Sequence, residues 1–212
     1  MRYPAARILI FAKAPISGQV KTRLIPVLGA DGAARLHYEM VQQTVERVAA
    51  SALAPLQLWC TPGIDEPLFD NLKNRSEIKL FEQLGVDLGA RMLHAFNVAL
   101  QSASFAVAIG TDWPALDTGV IATALQRLQQ GDDAVLGPAE DGGYVLLAMR
   151  KVDPRLFTEI AWGSAQVLTQ TQQRLRRLQW QWSELPTSWD LDRPEDFTRA
   201  LGAGLVHDPR QT

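Results

Sequence analysis

Two periodicities alternate along this chain, and the alternation limits the folds open to it more than any other feature. Ile8, Leu9, Ile10 and Phe11 form a compact apolar run of the kind carried by strands buried on both faces. After a loop punctuated by Pro and Gly, Ala33, Leu36, Met40, Val41, Thr44, Val45 and Val48 recur at three- and four-residue spacing. That stripe predicts a long amphipathic helix, with Asp31 near its N-cap. Further strands are expected over 56–60, 78–81, 105–109, 134–136, 144–147 and 180–185. Helices are expected over 67–73, 88–99, 117–128, 167–178 and 194–201, the last opened by Pro194, with an irregular tail beyond Gly202. Strand–helix alternation at this spacing predicts an α/β fold, a mostly parallel sheet with helices on both faces. No repeat or linker interrupts it, so one domain is expected over residues 1–212, with its core at about 7–201.

Composition removes several classes of function. With 21 Lys and Arg against 23 Asp and Glu, the net charge of -2 argues against broad binding to nucleic acid or to an anionic membrane. The single cysteine, Cys60, can form neither an internal disulfide nor a cysteine-based zinc cage, and reads as a buried thiol at a strand end. No apolar run reaches the ~18 residues of a membrane helix, and residues 7–13 are too short for a signal segment. A cytoplasmic location is the expectation. Neither G-x-S-x-G nor H-E-x-x-H occurs, so hydrolytic serine and zinc chemistry lack support. His37 and His94 lie on helical stripes and read as core-edge or surface histidines, and His207 lies in the tail.

Ligands of open parallel sheets bind beyond the carboxyl ends of the strands, so the residues just past each strand are the ones to weigh. After the first come Lys13, Pro15, Gly18, Lys21 and Arg23 on one loop. Such a loop suits a di- or triphosphate, with Lys as a point charge, Arg as a fork and Gly18 allowing close backbone approach. It is neither a Walker loop nor a G-x-G-x-x-G fingerprint, and a solvated basic loop is the plainer alternative. At the tip of the central strand stands Asp112, able to hold a hard divalent cation or simply to organise the turn before Pro114. Asp190 and Asp192 would project to one side of an extended segment and could complete an oxygen-rich Mg²⁺ or Mn²⁺ site. Helix capping is the competing role for Asp192, Glu195 and Asp196. Gly137, Pro138, Asp141, Gly142 and Gly143 exceed what a hairpin needs, which suggests backbone close to a ligand and Asp141 aimed at a sugar or an incoming nucleophile. Asp87 reads as a helix cap, with Arg91 one turn further on, within reach of a phosphate. Trp162 opens a loop before a helix and could stack on a base or a sugar.

These residues carry a likeness. Phe11-Ala12-Lys13, Pro15, Gly18, Lys21-Thr22-Arg23-Leu24, then Gln83, Gly85, Asp87-Leu88-Gly89 and Arg91-Met92 come first. Gly110, Asp112, Pro114, Gly137-Pro138-Ala139, Asp141-Gly142-Gly143-Tyr144, Asp190, Asp192 and Pro194-Glu195-Asp196 come after them. Together they resemble a bacterial glycosyltransferase-like family of the nucleotide-diphospho-sugar transferase (GT-A) fold. Its members often stand beside radical-SAM enzymes and are assigned to arsenosugar biosynthesis. The resemblance implies a nucleotide held by Lys13, Gly18, Lys21, Arg23, Gln83 and Arg91. It also implies Mg²⁺ or Mn²⁺ on Asp112 with Asp190 or Asp192, and catalytic roles for Asp112 and Asp141. One acid stands at the central strand tip, in Thr111-Asp112-Trp113, where glycosyltransferases usually carry D-x-D. The expected activity is transfer of a sugar from a nucleoside-diphosphate sugar to a small-molecule acceptor. The alternatives are nucleotidyl transfer from an NTP with release of pyrophosphate, as in molybdopterin or phospholactate guanylyltransferases, and a non-catalytic nucleotide-binding module.

Overall fold

A computed structural model of the chain describes residues 1–75 and 78–211. Seven strands make one sheet: β1 (Ala6–Lys13), β2 (Leu56–Thr61), β3 (Lys79–Glu82), β4 (Phe105–Gly110), β5 (Ala134–Pro138), β6 (Tyr144–Met149) and β7 (Trp182–Glu184). Their order across the sheet is β3-β2-β1-β4-β6-β5-β7. β1 pairs in parallel with β2 and β4, β2 with β3, and β5 with β7, whereas β6 runs antiparallel to β4 and β5. The sheet is therefore mostly parallel, as the alternation implies. The reversed β6 brings its first residue, Tyr144, to the edge where the parallel strands end.

The helices are α1 (Ile25–Ala50), α2 (Pro67–Arg75), α3 (Leu88–Leu100), α4 (Thr118–Gln129), α5 (Val167–Arg177) and α6 (Pro194–Gly202). β1 shows why both sheet faces need cover. Ile8 and Ile10 enter one core with Val41 and Val45 of α1, Phe69 of α2 and Ile121 of α4. Leu9 points the other way, into a core with Phe96 of α3 and Leu175 of α5. No helix among the described residues is long and apolar enough to cross a membrane.

Two capping expectations are not met. α1 begins at Ile25 rather than near Asp31, because Pro26 favours a first turn; Gly29 then breaks the helix at φ 70 before the apolar stripe begins. Asp31 is not a cap, and its Oδ1 instead accepts the Ser17 hydroxyl at 2.6 Å. At α6 the cap position falls on Arg193 rather than Asp192. There Asp196 accepts the backbone N–H groups of Arg193 (2.7 Å) and Asp192 (3.1 Å).

A third, smaller core joins the two ends of the chain. Leu24, Leu36 and Met40 pack with Trp189, Leu191 and Phe197. This contact holds the segment before α6 against the connection between β1 and α1. The tail shares in it through buried Val206, and Pro209 accepts a hydrogen bond from Arg35 at 3.0 Å.

Candidate active site

A cavity of about 390 Å³ opens at the carboxyl edge of the parallel strands, in the region where ligands of such sheets bind. Lys13, Gln83, Asp112, Asp141, Tyr144 and Asp190 reach its wall.

Asp112 stands two residues past the end of β4, the strand hydrogen-bonded to β1 and β6. Its side chain is 50% exposed, yet Oδ1 is enclosed and meets the Lys21 ammonium at 2.6 Å. Half of the carboxylate is thus committed to the protein, and the rest faces the cavity. Lys21 is almost wholly buried, on a left-handed backbone (φ 47), and also donates to the Leu191 carbonyl. Burial alone would raise the Asp112 carboxyl. Lys21 first, and then His37, more than reverse that, and it lies below the usual carboxylate range.

His37 is the functional-site residue that sequence reasoning missed. A helical stripe hides it, since a lone histidine beside Leu36 reads as a core-edge or surface residue. In the fold it is buried, its Nε2 lies 2.8 Å from the Lys13 carbonyl, and its Nδ1 lies 3.9 Å from Asp112 Oδ1 with no hydrogen-bond partner. Burial holds its pKa below the ordinary value against the pull of Asp112. Its Nε2–H donates to the Lys13 carbonyl and so ties the end of β1 to α1.

Asp190 arrives through a run of backbone hydrogen bonds. Ser188 N–H donates to the Pro138 carbonyl (2.9 Å), Glu140 N–H to Ser188 (2.9 Å), and Leu191 N–H to Asp112 (2.8 Å). Arg199 of α6 braces the same segment, forked onto Glu140 and stacked 4.3 Å from the Trp189 ring centroid. Asp190 is thereby brought to the cavity wall within electrostatic reach of Asp112 and Asp141. Burial, then Asp141 and Asp112, push its carboxyl up to about 6. Asp141 is held in its turn, Oδ1 accepting the Gly143 N–H at 2.8 Å.

The remaining expected residues divide. Lys13 reaches the cavity wall with its ammonium on the Gln19 carbonyl at 2.7 Å. Gln83 reaches it with its amide nitrogen bonded to the carbonyls of Ala12 (3.1 Å) and Trp59 (2.8 Å), leaving Oε1 as its available polar atom. Gly18, Lys21, Arg23, Arg91 and Asp192 do not reach the wall. Arg23 and Asp192 pair with each other, because the Asp196 cap turns the chain after buried Leu191. Arg91 is turned back onto the Gly85 carbonyl at 3.2 Å. The glycines around Asp141 approach the protein itself rather than open space. A Cβ on Gly142 would lie 2.3 Å from the Ala165 carbonyl oxygen, and one on Gly137 would lie 3.0 Å from Leu146 Cβ.

No three His, Cys, Asp or Glu side chains among the described residues form a ready-made metal cage. Asp112 and Asp190 nevertheless suit a hard dication that takes its other ligands from phosphate and water, as Mg²⁺ commonly does.

The comparisons agree with this architecture. A protein of Desulfovibrio desulfuricans G20 described as a nucleotide-diphospho-sugar transferase is 36% identical, with a TM-score of 0.84 over 93% of this chain and 86% of that one. A cytidylyltransferase from Leptospira borgpetersenii shares the fold at 14% identity, with a TM-score of 0.56 over 92% and 84%. Glucosyl-3-phosphoglycerate synthase from Mycobacterium tuberculosis, in complex with Mn²⁺, UDP and glucosyl-3-phosphoglycerate, does so at 11% identity and 0.57 over 95% and 77%. These structural neighbours are nucleotidyl or glycosyl transferases. No curated protein matches the chain. A family profile matches residues 44–164, more than half of the sequence. Together with the 36% identity to a structure spanning nearly the whole fold, that match places the chain in the bacterial family described as "Uncharacterized protein conserved in bacteria (DUF2064)".

Proposed function

We propose that the chain transfers a sugar from a nucleoside-diphosphate sugar to a hydroxyl acceptor with the help of Mg²⁺ or Mn²⁺. One observation carries the reading. Carboxylates from three separate segments (Asp112, Asp141 and Asp190) reach one cavity in which Lys13 is the sole Lys or Arg on the wall among the described residues. The D. desulfuricans relative and the M. tuberculosis neighbour, described with Mn²⁺ and UDP, support the donor class.

In this reading Lys13 attracts the donor diphosphate, and Gln83 Oε1 accepts a hydrogen bond from the base or ribose. Asp112 and Asp190 would hold the metal, which when bound offsets charge building on the departing diphosphate. Lys21 fixes one oxygen of Asp112, so that the other is presented in a set direction. Asp141, anchored by Gly143, orients the acceptor hydroxyl and takes its proton. Nucleotidyl transfer to a phosphate monoester is less well supported. The acceptor would bring a second anionic group to a wall that offers carboxylates.

The test is product analysis. Incubation with a panel of nucleoside-diphosphate sugars and Mn²⁺ is expected to release nucleoside diphosphate. Pyrophosphate formed from an NTP would select nucleotidyl transfer instead, and tight nucleotide binding without turnover of any donor would select a binding module.

A further inference from the structure

Resting on the glycosyl-transfer reading, we infer that the acceptor is an uncharged alcohol with a flat apolar face, seated against Trp162. Half-buried Trp162 reaches the cavity wall beside Met92, Tyr144 and Val167. Its place is built rather than incidental. A Cβ on Gly89, at the start of α3, would lie 2.6 Å from the indole Nε1, so only glycine admits the ring there. Gly142 likewise admits the backbone of the Trp162 loop at Ala165. The loop is then tied down. Leu168 N–H donates to the Gly142 carbonyl (2.9 Å), Ala161 N–H to Gln170 Oε1 (2.7 Å), and the Ser164 hydroxyl to the Ala161 carbonyl (2.7 Å). A fixed indole offers a face on which a flat apolar surface gains from stacking.

Charge narrows the class further. Asp141 and Asp190 share the wall with this apolar side, and Lys13, its one Lys or Arg among the described residues, is anchored on the Gln19 carbonyl at the end of β1. A phosphorylated or carboxylated acceptor would meet like charge from Asp141 and Asp190, while Lys13 and the metal are engaged with the donor diphosphate in the proposed reading. A neutral hydroxyl compound meets no such repulsion. It can donate to a carboxylate while its body rests on the indole. An aromatic ring and the apolar face of a sugar ring both satisfy this description.

Calorimetric titration distinguishes the cases. The protein is saturated with Mn²⁺ and the nucleoside diphosphate that most raises its Tm, then titrated with tyrosol, methyl glucoside or phosphoglycerate. Tyrosol or methyl glucoside is expected to bind at least about tenfold more tightly than phosphoglycerate, and the preference between the two identifies the kind of flat face. Trp162→Ala is expected to weaken that binding about tenfold, and Trp162→Phe less than about threefold, with the nucleotide Kd unchanged in both. Tightest binding by phosphoglycerate, no binding by either neutral probe, or unchanged binding in Trp162→Ala would overturn the inference while leaving sugar transfer standing. Absence of nucleoside-diphosphate binding would overturn the proposed function and this inference with it.

Discussion

An ionised carboxylate enclosed beside two others is held against its own preference, and Asp190 is in that position. With its carboxyl raised to about 6 in the fold and near ~3.9 in the unfolded chain, protonation favours the folded state. The stabilisation is complete below pH ~4 and is lost as pH rises through about 6. At neutral pH, therefore, Asp190 weakens the fold. Asp190→Asn is predicted to raise stability at pH 7.5 by on the order of 1 kcal/mol after solvent screening, or ~2–4 °C in Tm. The gain should shrink toward zero as the pH approaches 4, and a lower Tm at neutral pH would contradict the assignment. Asp112 is a poorer probe, because Asp112→Asn would strand the buried Lys21 ammonium and mix stability with binding. Of these residues, Asp112 and Asp190 were legible in the sequence as acids at a strand tip and before a Pro-started helix. Their partners were not. Lys21 reads as a phosphate ligand until the fold shows it buried against Asp112, and His37 reads as a core-edge or surface histidine until its Nε2 is found on the Lys13 carbonyl.

At the scale of elements, the strands and helices were legible because each apolar run or stripe reports its own burial. Some starts were legible too, Asp87 capping α3 and Pro194 opening α6 as expected, whereas others were not, since capping depends on side-chain direction. Asp31 has the right chemistry for an N-cap, but Pro26 starts the helix earlier and Gly29 interrupts it. The glycine-rich turn between β5 and β6 shows the same limit. Its excess of glycine does mark a close approach, but Gly142 approaches Ala165 of the neighbouring loop. Two alanine substitutions separate strain from contact. Gly18→Ala, at φ +76 with open space around it, is predicted to cost only ~1 kcal/mol, from its left-handed backbone. Gly142→Ala, at φ +88 with its Cβ 2.3 Å from the Ala165 carbonyl oxygen, should cost at least ~2 kcal/mol more, because overpacking adds to that strain. Urea denaturation of the two variants checks the difference, and equal costs would show that the loop yields freely.

For the whole molecule, alternation identified the α/β class but not the path of the sheet. An apolar run says that a strand is buried, not which strand lies beside it, so the insertion of antiparallel β6 between β4 and β5 appears only in the fold. That insertion carries Asp141 and Tyr144 to the edge where β1 and β4 end. The small core of Leu24, Leu36, Trp189 and Leu191 brings Asp190 to the same edge from the far end of the chain. A site assembled this way should bind metal and nucleotide together, since neither two carboxylates nor one wall lysine suffices alone. Mn²⁺ titration followed by electron paramagnetic resonance, with and without nucleoside diphosphates, tests this most directly. The wild-type chain is expected to bind Mn²⁺ at least about tenfold more tightly with a nucleoside diphosphate present, and Asp190→Asn to abolish the enhancement. An equal enhancement in Asp190→Asn, or none in the wild type with any nucleoside diphosphate, would contradict that expectation.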